Sequence, residues 1–337
     1  MKLSHRIHAF AELGKRLHSI EVAEKNILYR RAGDYNPWFT PQQCELAMKG
    51  ISKFLVKDKL EHWVIGYHLS SEVAHKVGVV MAGNIPMVGF HDMLCVLVSG
   101  NHLAAKLSSQ DTVLMRFIAE QLLEIEPGFE KYITFTDRLN DAQAVIATGS
   151  DNTARYFEYY FRNIPHIIRK NRSSCAVLRG DETPEQLIAL GKDVFSYYGL
   201  GCRNVSKLFV PKDYDFTQLL GLWEEYHSIF HHHKYANNYD YNKSILLVNQ
   251  TPFLDNGFVL LTENAALVSP ISVLYYETWS GSQLPDSDKI QCVASARGWY
   301  PGSVPFGKTQ EPELWDYADR VDTLKFLTEL EGSRPSQ

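Results

Sequence analysis

A cysteine within a glycine-rich stretch is the residue of this sequence whose type and setting best suit covalent chemistry. Cys202 follows Gly199-Leu200-Gly201 and precedes residues 205–211, an apolar run ending in proline that predicts a buried strand. Glycines carry no Cβ, so the backbone beside this thiol can turn sharply and approach a ligand closely. A thiol at such a turn, with a backbone N–H beside it, can attack a carbonyl carbon and stabilise the oxyanion that forms. The local composition alone favours a simpler interpretation, a small cysteine buried in the core.

The composition is that of an ordinary globular protein. Its 337 residues are 45% hydrophobic and carry a formal net charge of −5 without a long block of one sign. This length predicts two domains, and this charge disfavours nucleic acid and anionic membranes as partners. No run of about 18 apolar residues occurs and the N-terminus lacks a signal-peptide pattern, so we expect no membrane span and a cytoplasmic protein. Five scattered cysteines without a C-x-x-C pair argue against a disulfide framework and for a reducing compartment.

Hydrophobic periodicity predicts an α/β protein. Residues 1–75 are predicted to be mostly helical, with no chemistry of their own. From there short apolar runs alternate with helical patterns, which indicates a doubly wound parallel sheet followed by a second α/β layer. The predicted strands are residues 76–83, 102–107, 132–135, 144–149, 174–180, 205–211, 244–248, 258–261, 272–276 and 290–294.

Two polar stretches are predicted to be structural. The three adjacent histidines at residues 231–233 point in different directions and have no carboxylate or cysteine at ligand spacing, so no metal site is expected. Residues 235–241 mix tyrosine with polar residues and are predicted to form a structured loop, since the basic charge of a nucleic-acid platform is missing.

Three predicted strands end in residues that could contact an anion or a cofactor. Asn84 follows the first strand, Lys106 lies at the end of the second, and Thr148-Gly149-Ser150 leads from a later strand into a helix. Parallel sheets bind ligands at the carboxyl ends of their strands, and a helix N-terminus offers free N–H groups to an anion. A G-x-G-x-x-G fingerprint is missing, however, and strand ends are often glycine-rich or charged for structural reasons. The pattern alone therefore leaves nucleotide binding open.

Taken in order, these segments resemble the aldehyde dehydrogenase superfamily. Its W-N-F-P-like loop, its K-P-S lysine, its F-T-G-S turn and its G-Q-x-C cysteine have as their counterparts Asn84, Lys106, residues 148–150 and Cys202. Each motif is modest by itself, but the motifs occur in the right order over the right distances. The resemblance makes Cys202 the predicted nucleophile.

Within the superfamily, the sequence is most similar to the LuxC-type fatty acyl-CoA reductases. The similarity lies in the Gly83-Asn84-Ile85-Pro86 loop and in the tail that begins with Pro305-Phe306-Gly307-Lys308. Glu263-Asn264 with Pro270 is similar to the superfamily's E-x-F-G-P segment. The likeness spans roughly residues 75 to 325.

The resemblance implies an aldehyde dehydrogenase-like α/β fold, with a doubly wound parallel-sheet cofactor domain and a second α/β catalytic domain. A helical N-terminal region and an NADP-binding domain are expected in residues 1–178, and the catalytic domain with its cysteine in residues 179–300. Residues 301–337 are expected to return to the cofactor domain.

The resemblance also implies reduction of a long-chain acyl-CoA to an aldehyde with NADPH. Cys202 would attack the thioester, while its own N–H and the Asn84 amide hold the oxyanion. Lys106 and Ser108 would bind the adenosine ribose or its 2′-phosphate. The Gly149-Ser150 turn would lie near the pyrophosphate.

One departure from the superfamily pattern supports the reductase. Hydrolytic aldehyde dehydrogenases carry a glutamate in an E-L-G-G-K-S segment that activates the deacylating water, but the matching residues 169–174 contain no acid. Two alternatives stay open: another enzyme on this fold that oxidises aldehydes or reduces acyl phosphates, and a non-catalytic acyl-binding subunit. The sequence leaves open the acyl chain length, the choice of NADPH over NADH and the deprotonation of Cys202. It also leaves open partner subunits for acyl transfer or ligation, and a homo-oligomer.

Overall fold

The chain forms two compact units. The computed structural model describes residues 1–69, 74–281, 284 and 287–330. The first unit comprises Met1–Lys170 and Glu313–Gln337, and the second comprises Asn171–Pro312. These borders differ from the predicted ones after residues 178 and 300. The strand predicted at residues 174–180 pairs within the sheet of the second unit, and residues 304–305 pair with that same sheet. The roles predicted for the domains stay a prediction.

The first unit begins with helices, as the periodicity of its N-terminal residues predicts. Its helices are α1 (Leu3–Ser19), α2 (Val22–Tyr35), α3 (Pro41–Phe54), α4 (Lys57–Val64), α5 (Phe90–Ser99), α6 (Thr112–Ile125), α7 (Asp151–Phe161) and, numbered by chain order, α11 (Thr323–Glu329). α1 buries Phe10, Leu13 and Leu17, which share one face at helical spacing. In the described part of the chain, no helix is both long and apolar enough to cross a membrane.

The sheet of the first unit is parallel throughout. Its strands are β1 (Lys76–Val80), β2 (His102–Lys106), β3 (Ile133–Phe135), β4 (Ala144–Thr148) and β5 (His166–Arg169), in the order β3-β2-β1-β4-β5. From β1 the chain adds β2 and β3 on one side of the sheet, and it then adds β4 and β5 on the other side of β1. Such a topological switch point, here between β1 and β4, opens a crevice at the carboxyl ends of the strands. The sequence did not predict β5, since this short strand has only two apolar residues between a histidine and an arginine.

The second unit is a mixed sheet with its own helices. Its strands are β6 (Ser173–Val177), β7 (Val205–Val210), β8 (Leu254–Asp255), β9 (Leu260–Glu263), β10 (Val273–Thr278), β11 (Ile290–Ser295) and β12 (Val304–Pro305). They follow the order β12-β11-β6-β7-β10-β9-β8, and only the short β8 runs antiparallel to its neighbour within the described residues. The helices are α8 (Pro184–Phe195), α9 (Thr217–Leu222) and α10 (His233–Val248). The core of this unit lies between its sheet and its helices and fully buries Trp223, Leu190 and Leu208.

Two predictions for the second unit are wrong. Residues 244–248, predicted as a strand, form the last turns of α10, and residues 235–241, predicted as a loop, form its first turns. The apolar run at the end of α10 is short enough to fit either a strand or a helix. Leu247 and Val248 in this run are exposed, so the run is not the buried strand that its composition indicates.

Candidate active site

Cys202 lies in a tight turn directly before β7. We call residues 201–204 the Cys202 turn. The N–H of Asn204 donates to the carbonyl of Gly201 at 3.0 Å, and the N–H of Gly201 donates to Oδ1 of Asn204 at 2.8 Å. Main chain and side chain of Asn204 thus close the same turn twice, with Cys202 at its second position.

Exposure distinguishes Cys202 from the other four cysteines. Cys44, Cys95, Cys175 and Cys292 are buried, whereas Cys202 is partly exposed. Burial raises the pKa of the Cys44 and Cys175 thiols to about 12 and that of Cys95 well above its usual value. Because a thiolate is the reactive form, these buried thiols are poor nucleophiles. Cys202 is therefore the thiol of this chain that a substrate can reach.

Buried polar side chains fix the Cys202 turn to its neighbours. Asn204 is 1% exposed, and its Nδ2 lies 2.7 Å from the carbonyl oxygen of Ser196, 3.1 Å from that of Asp193 and 3.2 Å from that of Val194. On the other side, Ser174 in β6 donates its hydroxyl to the carbonyl of Cys202 at 3.2 Å. The turn is therefore held between the end of α8 and β6.

The backbone that leads to the turn is left-handed. Tyr197, Tyr198 and Gly199 have φ values of 51°, 58° and 77°; we call these three residues the left-handed segment. Only glycine adopts such angles freely, and each of the two tyrosines costs roughly 1–2 kcal/mol there. The Tyr198 ring is buried and packs against the His232 ring with 4.4 Å between centroids. Strain of this kind persists only where packing and hydrogen bonds hold it.

A small apolar cavity of about 30 Å³ adjoins the left-handed segment. Its wall is formed by Val194, Phe195, Tyr198, Gly199, Val205, Ser206, Tyr235, Val259 and residues 269–273. Among these, Ser206 and Ser269 donate their hydroxyls to backbone carbonyls, so they add little free polarity to the wall. The cavity can hold a small apolar group or a pair of water molecules.

Asn84 lies in the loop after β1, in the first unit. The loop is anchored at both ends: Asn36 donates to the carbonyl of Gly83 at 3.1 Å, and the N–H of Met87 donates to Oδ2 of Asp111 at 2.6 Å. Burial raises the pKa of the Asp111 carboxyl well above its usual value. Asn84 itself is exposed.

The predicted cofactor residues lie at the carboxyl edge of the same sheet. Lys106 pairs with Val80 at the ends of β2 and β1, and its side chain is exposed. Ser108 packs against Gly83, where an added Cβ would come within 2.7 Å of the Cβ of Ser108. The loop that carries Asn84 and the loop that carries Ser108 are thus in direct contact.

The Gly149-Ser150 turn joins β4 to α7 at this edge. Ser150 is the N-cap of α7 and accepts a hydrogen bond from the N–H of Thr153 at 3.3 Å. A Cβ on Gly149 would lie 3.0 Å from the Cβ of Thr153, so glycine permits the close approach of strand and helix here.

The structure places five of the predicted site residues in the first unit and one in the second. Asn84, Lys106, Ser108, Gly149 and Ser150 share one edge in the first unit, while Cys202 belongs to the second. The oxyanion hole made jointly by Asn84 and Cys202 stays a prediction. Four residues that hold these segments were not predicted from the sequence: Asn204 and Ser174 at the Cys202 turn, and Asn36 and Asp111 at the Asn84 loop. The one signal in the sequence was an asparagine two residues after the candidate cysteine, directly before an apolar strand.

Solved structures of aldehyde dehydrogenases share this fold. The match with an aldehyde dehydrogenase of Bacillus cereus in complex with NAD+ covers 88% of this chain and 72% of that chain, with a TM-score of 0.61 and 13% sequence identity. The match with a P. syringae indole-3-acetaldehyde dehydrogenase in complex with NAD+ and IAA covers 90% of this chain and 74% of that chain, with a TM-score of 0.63 and 12% sequence identity. The match with a Mycobacterium tuberculosis aldehyde dehydrogenase complexed with NAD+ covers 88% of this chain and 73% of that chain, with a TM-score of 0.61 and 12% sequence identity. No protein-family model and no curated protein matches the sequence. These similarities confirm the predicted aldehyde dehydrogenase-like α/β fold, and at such identities they establish the fold alone.

Proposed function

We propose that this protein reduces acyl-CoA to aldehyde with NADPH, through an acyl-enzyme on Cys202. The observation that carries the proposal is the partly exposed Cys202 in a doubly closed turn, on a fold shared with aldehyde dehydrogenases. A nucleophile held in one geometry needs less reorganisation to reach the transition state.

The chain's own residues carry the first half of the reaction. The Cys202 thiolate attacks the thioester carbon, and the C–S bond to CoA breaks as the tetrahedral oxyanion collapses. The Cys202 N–H would stabilise that oxyanion, and the Asn84 amide is the second donor that the sequence resemblance implies. CoA leaves as a thiolate and takes up a proton.

The carboxyl edge of the first sheet fits a nicotinamide dinucleotide. Lys106 at the end of β2 offers an exposed cation for a 2′-phosphate, and Ser108 lies two residues further on, in the loop that follows. The N-terminus of α7, which follows β4, would bind the pyrophosphate. NADPH would supply the hydride that converts the acyl-enzyme to a thiohemiacetal. Release of the aldehyde then restores the Cys202 thiol. Acyl-CoA, NADPH and a proton are consumed, and aldehyde, CoA and NADP+ are formed. The NAD+ in three similar solved structures supports a nicotinamide cofactor for this chain.

The segment that would activate a deacylating water carries no acid. Residues 169–174 begin with Arg169, which is buried and paired with Asp92 and with the Thr323 hydroxyl. The acyl-enzyme is thereby spared hydrolysis and left for reduction. The apolar cavity beside the left-handed segment suits part of an acyl chain.

Intact-mass spectrometry without cofactor tests the proposal. Wild type, Cys202→Ala and the matched control Cys175→Ala, a buried thiol in β6, are incubated with acyl-CoAs of increasing chain length. We expect an acyl adduct on wild type and on the control but none on Cys202→Ala. NADPH should then discharge the adduct as aldehyde. An adduct on Cys202→Ala, or none on wild type with any acyl-CoA, would refute the proposal.

The second candidate is aldehyde oxidation, which the names of the similar solved structures favour. It predicts NADH or NADPH formation from free aldehydes, without acyl-CoA. The same protein samples assayed with an aldehyde series decide between the two. Partner subunits, a homo-oligomer and a cytoplasmic location stay predictions.

A further inference from the structure

We propose that Asn204 is a positioning residue for Cys202, because it joins the two ends of the left-handed segment and so keeps the nucleophile in place. The inference rests on the proposed function for the reaction it serves. Asn204 lies two residues from the thiol, is buried, and uses both atoms of its amide on opposite sides of the strained backbone.

The side-chain amide of Asn204 forms hydrogen bonds on both sides of the left-handed segment. Nδ2 of Asn204 donates to the carbonyl of Ser196, the residue directly before the left-handed segment, at 2.7 Å. Oδ1 accepts from the N–H of Gly201, which follows the segment after Leu200, at 2.8 Å. One side chain therefore spans residues 196 to 201 and closes them into a loop that ends at Cys202.

This loop needs a restraint, because its backbone is strained. Two non-glycine residues in the left-handed region store backbone strain, so the segment relaxes towards ordinary angles if it is released. A relaxation within the segment moves Cys202, because only Leu200 and Gly201 separate the two. Displacement of a reacting atom by about 1 Å can lower a rate by roughly 100-fold.

Asn204 is itself anchored to α8. Its Nδ2 also approaches the carbonyls of Asp193 and Val194 in the last turn of α8, which lack partners within the helix. Asp193 is fully buried, and its carboxylate accepts from the N–H of Gly307 at 2.6 Å, from the N–H of Thr309 at 3.0 Å and from the Thr309 hydroxyl at 2.8 Å. Hydrogen bonds thus fix the Cys202 turn to α8, and further hydrogen bonds fix α8 to residues 307–309.

The test separates positioning from folding. Wild type, Asn204→Ala and Asn204→Asp are compared with Asn256→Ala, the matched control. Asn256 also donates to a carbonyl (that of Leu220) and accepts from a backbone N–H (that of Val259), but it lies in the turn before β9. Single-turnover acylation by acyl-CoA is followed by mass spectrometry. Alkylation of Cys202 by iodoacetamide is followed by peptide mapping. In the acylation, the rate constant reports the reactivity of the folded protein and the amplitude reports the folded fraction. In the alkylation, the rate constant of the folded protein reports the reactivity of the thiol.

We expect Asn204→Ala to lower the acylation rate constant by about 10- to 100-fold, with a nearly unchanged half-saturating acyl-CoA concentration. Asn204→Asp should lower it at least as much, because its carboxylate faces three carbonyl oxygens. Asn256→Ala should keep the wild-type rate constant. In the Asn204 variants the alkylation rate constant should change in parallel with the acylation rate constant.

Two results would overturn the inference. One is an Asn204→Ala rate constant equal to that of the control. The other is a loss of amplitude alone, which would make Asn204 a purely structural residue. If wild type forms no acyl adduct, the proposed function fails, and the alkylation rate constants still decide whether Asn204 positions the thiol.

Discussion

In the first unit, three predicted site residues lie at the carboxyl edge of adjacent parallel strands: Lys106 ends β2, Gly149 follows β4, and Asn84 lies in the loop after β1. In the second unit, by contrast, Cys202 precedes the amino end of β7. The first group is brought together mainly by strand register: Val80 pairs with Lys106 on one side and with Ala147 on the other. The Cys202 turn has no such register. The side chains of Asn204 and Ser174 hold it instead, and the Asn204 amide donates to the backbone carbonyl of Asp193.

This difference indicates where each half of the proposed site is vulnerable. A register-held residue shifts only if a strand pair slips or if added atoms push two loops apart. A residue held by side chains shifts when a single buried hydrogen bond is removed, which costs about 1–3 kcal/mol. The predictions below test this contrast, from the largest expected effect to the smallest.

The largest effect is expected at Asp193, whose carboxylate supports the side-chain-held half. Burial raises its pKa to about 6, although hydrogen bonds from Gly307 and Thr309 and the charge of Lys192 act in the opposite direction. A carboxyl whose pKa is higher in the folded than in the unfolded state takes up its proton on folding. Its contribution to stability is therefore full below about pH 4 and is lost as the pH rises through 6.

We expect the free energy of unfolding of wild type, relative to Asp193→Asn, to rise by up to about 3 kcal/mol between pH 7 and pH 4. Urea unfolding of both proteins at several pH values measures this difference, and the other titrating groups cancel in it. A difference that is flat over this range would show that Asp193 does not titrate there.

A steric change should disturb the register-held half. A Cβ on Gly83 would lie 2.7 Å from the Cβ of Ser108 and 3.1 Å from that of Gln110, so Gly83→Ala must move the loop that carries Ser108. We expect the dissociation constant for NADPH to rise by about tenfold, which corresponds to about 1.4 kcal/mol. Fluorescence titration measures the constant.

The control for Gly83→Ala is Gly50→Ala in α3, where an added Cβ meets nothing within 4 Å. It should bind NADPH as wild type does. Equal affinity of Gly83→Ala and Gly50→Ala would mean that the Ser108 loop does not take part in cofactor binding.

The smallest effect is expected at Gly199, the last residue of the left-handed segment. An added Cβ there meets only the carbonyl of Val194 at 3.7 Å, so the cost of Gly199→Ala is backbone strain at a φ of 77°. We expect the free energy of unfolding to fall by about 1 kcal/mol. Urea denaturation checks this value against Gly221→Ala, where a Cβ has open space. An unchanged stability would argue against the left-handed conformation.

Local sequence patterns determined most of the fold and part of the site. Apolar periodicity placed α1 and β1, and the order of motifs indicated the aldehyde dehydrogenase-like architecture that the solved structures confirm. The same patterns failed for residues 244–248, since a short apolar run suits a helix end as well as a strand. The catalytic and cofactor roles of the predicted site residues stay predictions.

Tertiary structure alone decided which cysteine is reachable and what holds it. Asp193 meets Thr309 across 116 residues, and Ser174 meets Cys202 across 28. Burial and hydrogen bonding between such distant residues have no local signature, because they depend on which segments the fold brings into contact. The sequence determined the strands, their ends and a candidate thiol, while only the packed chain determined that this thiol is exposed, strained at its approach and held by Asn204.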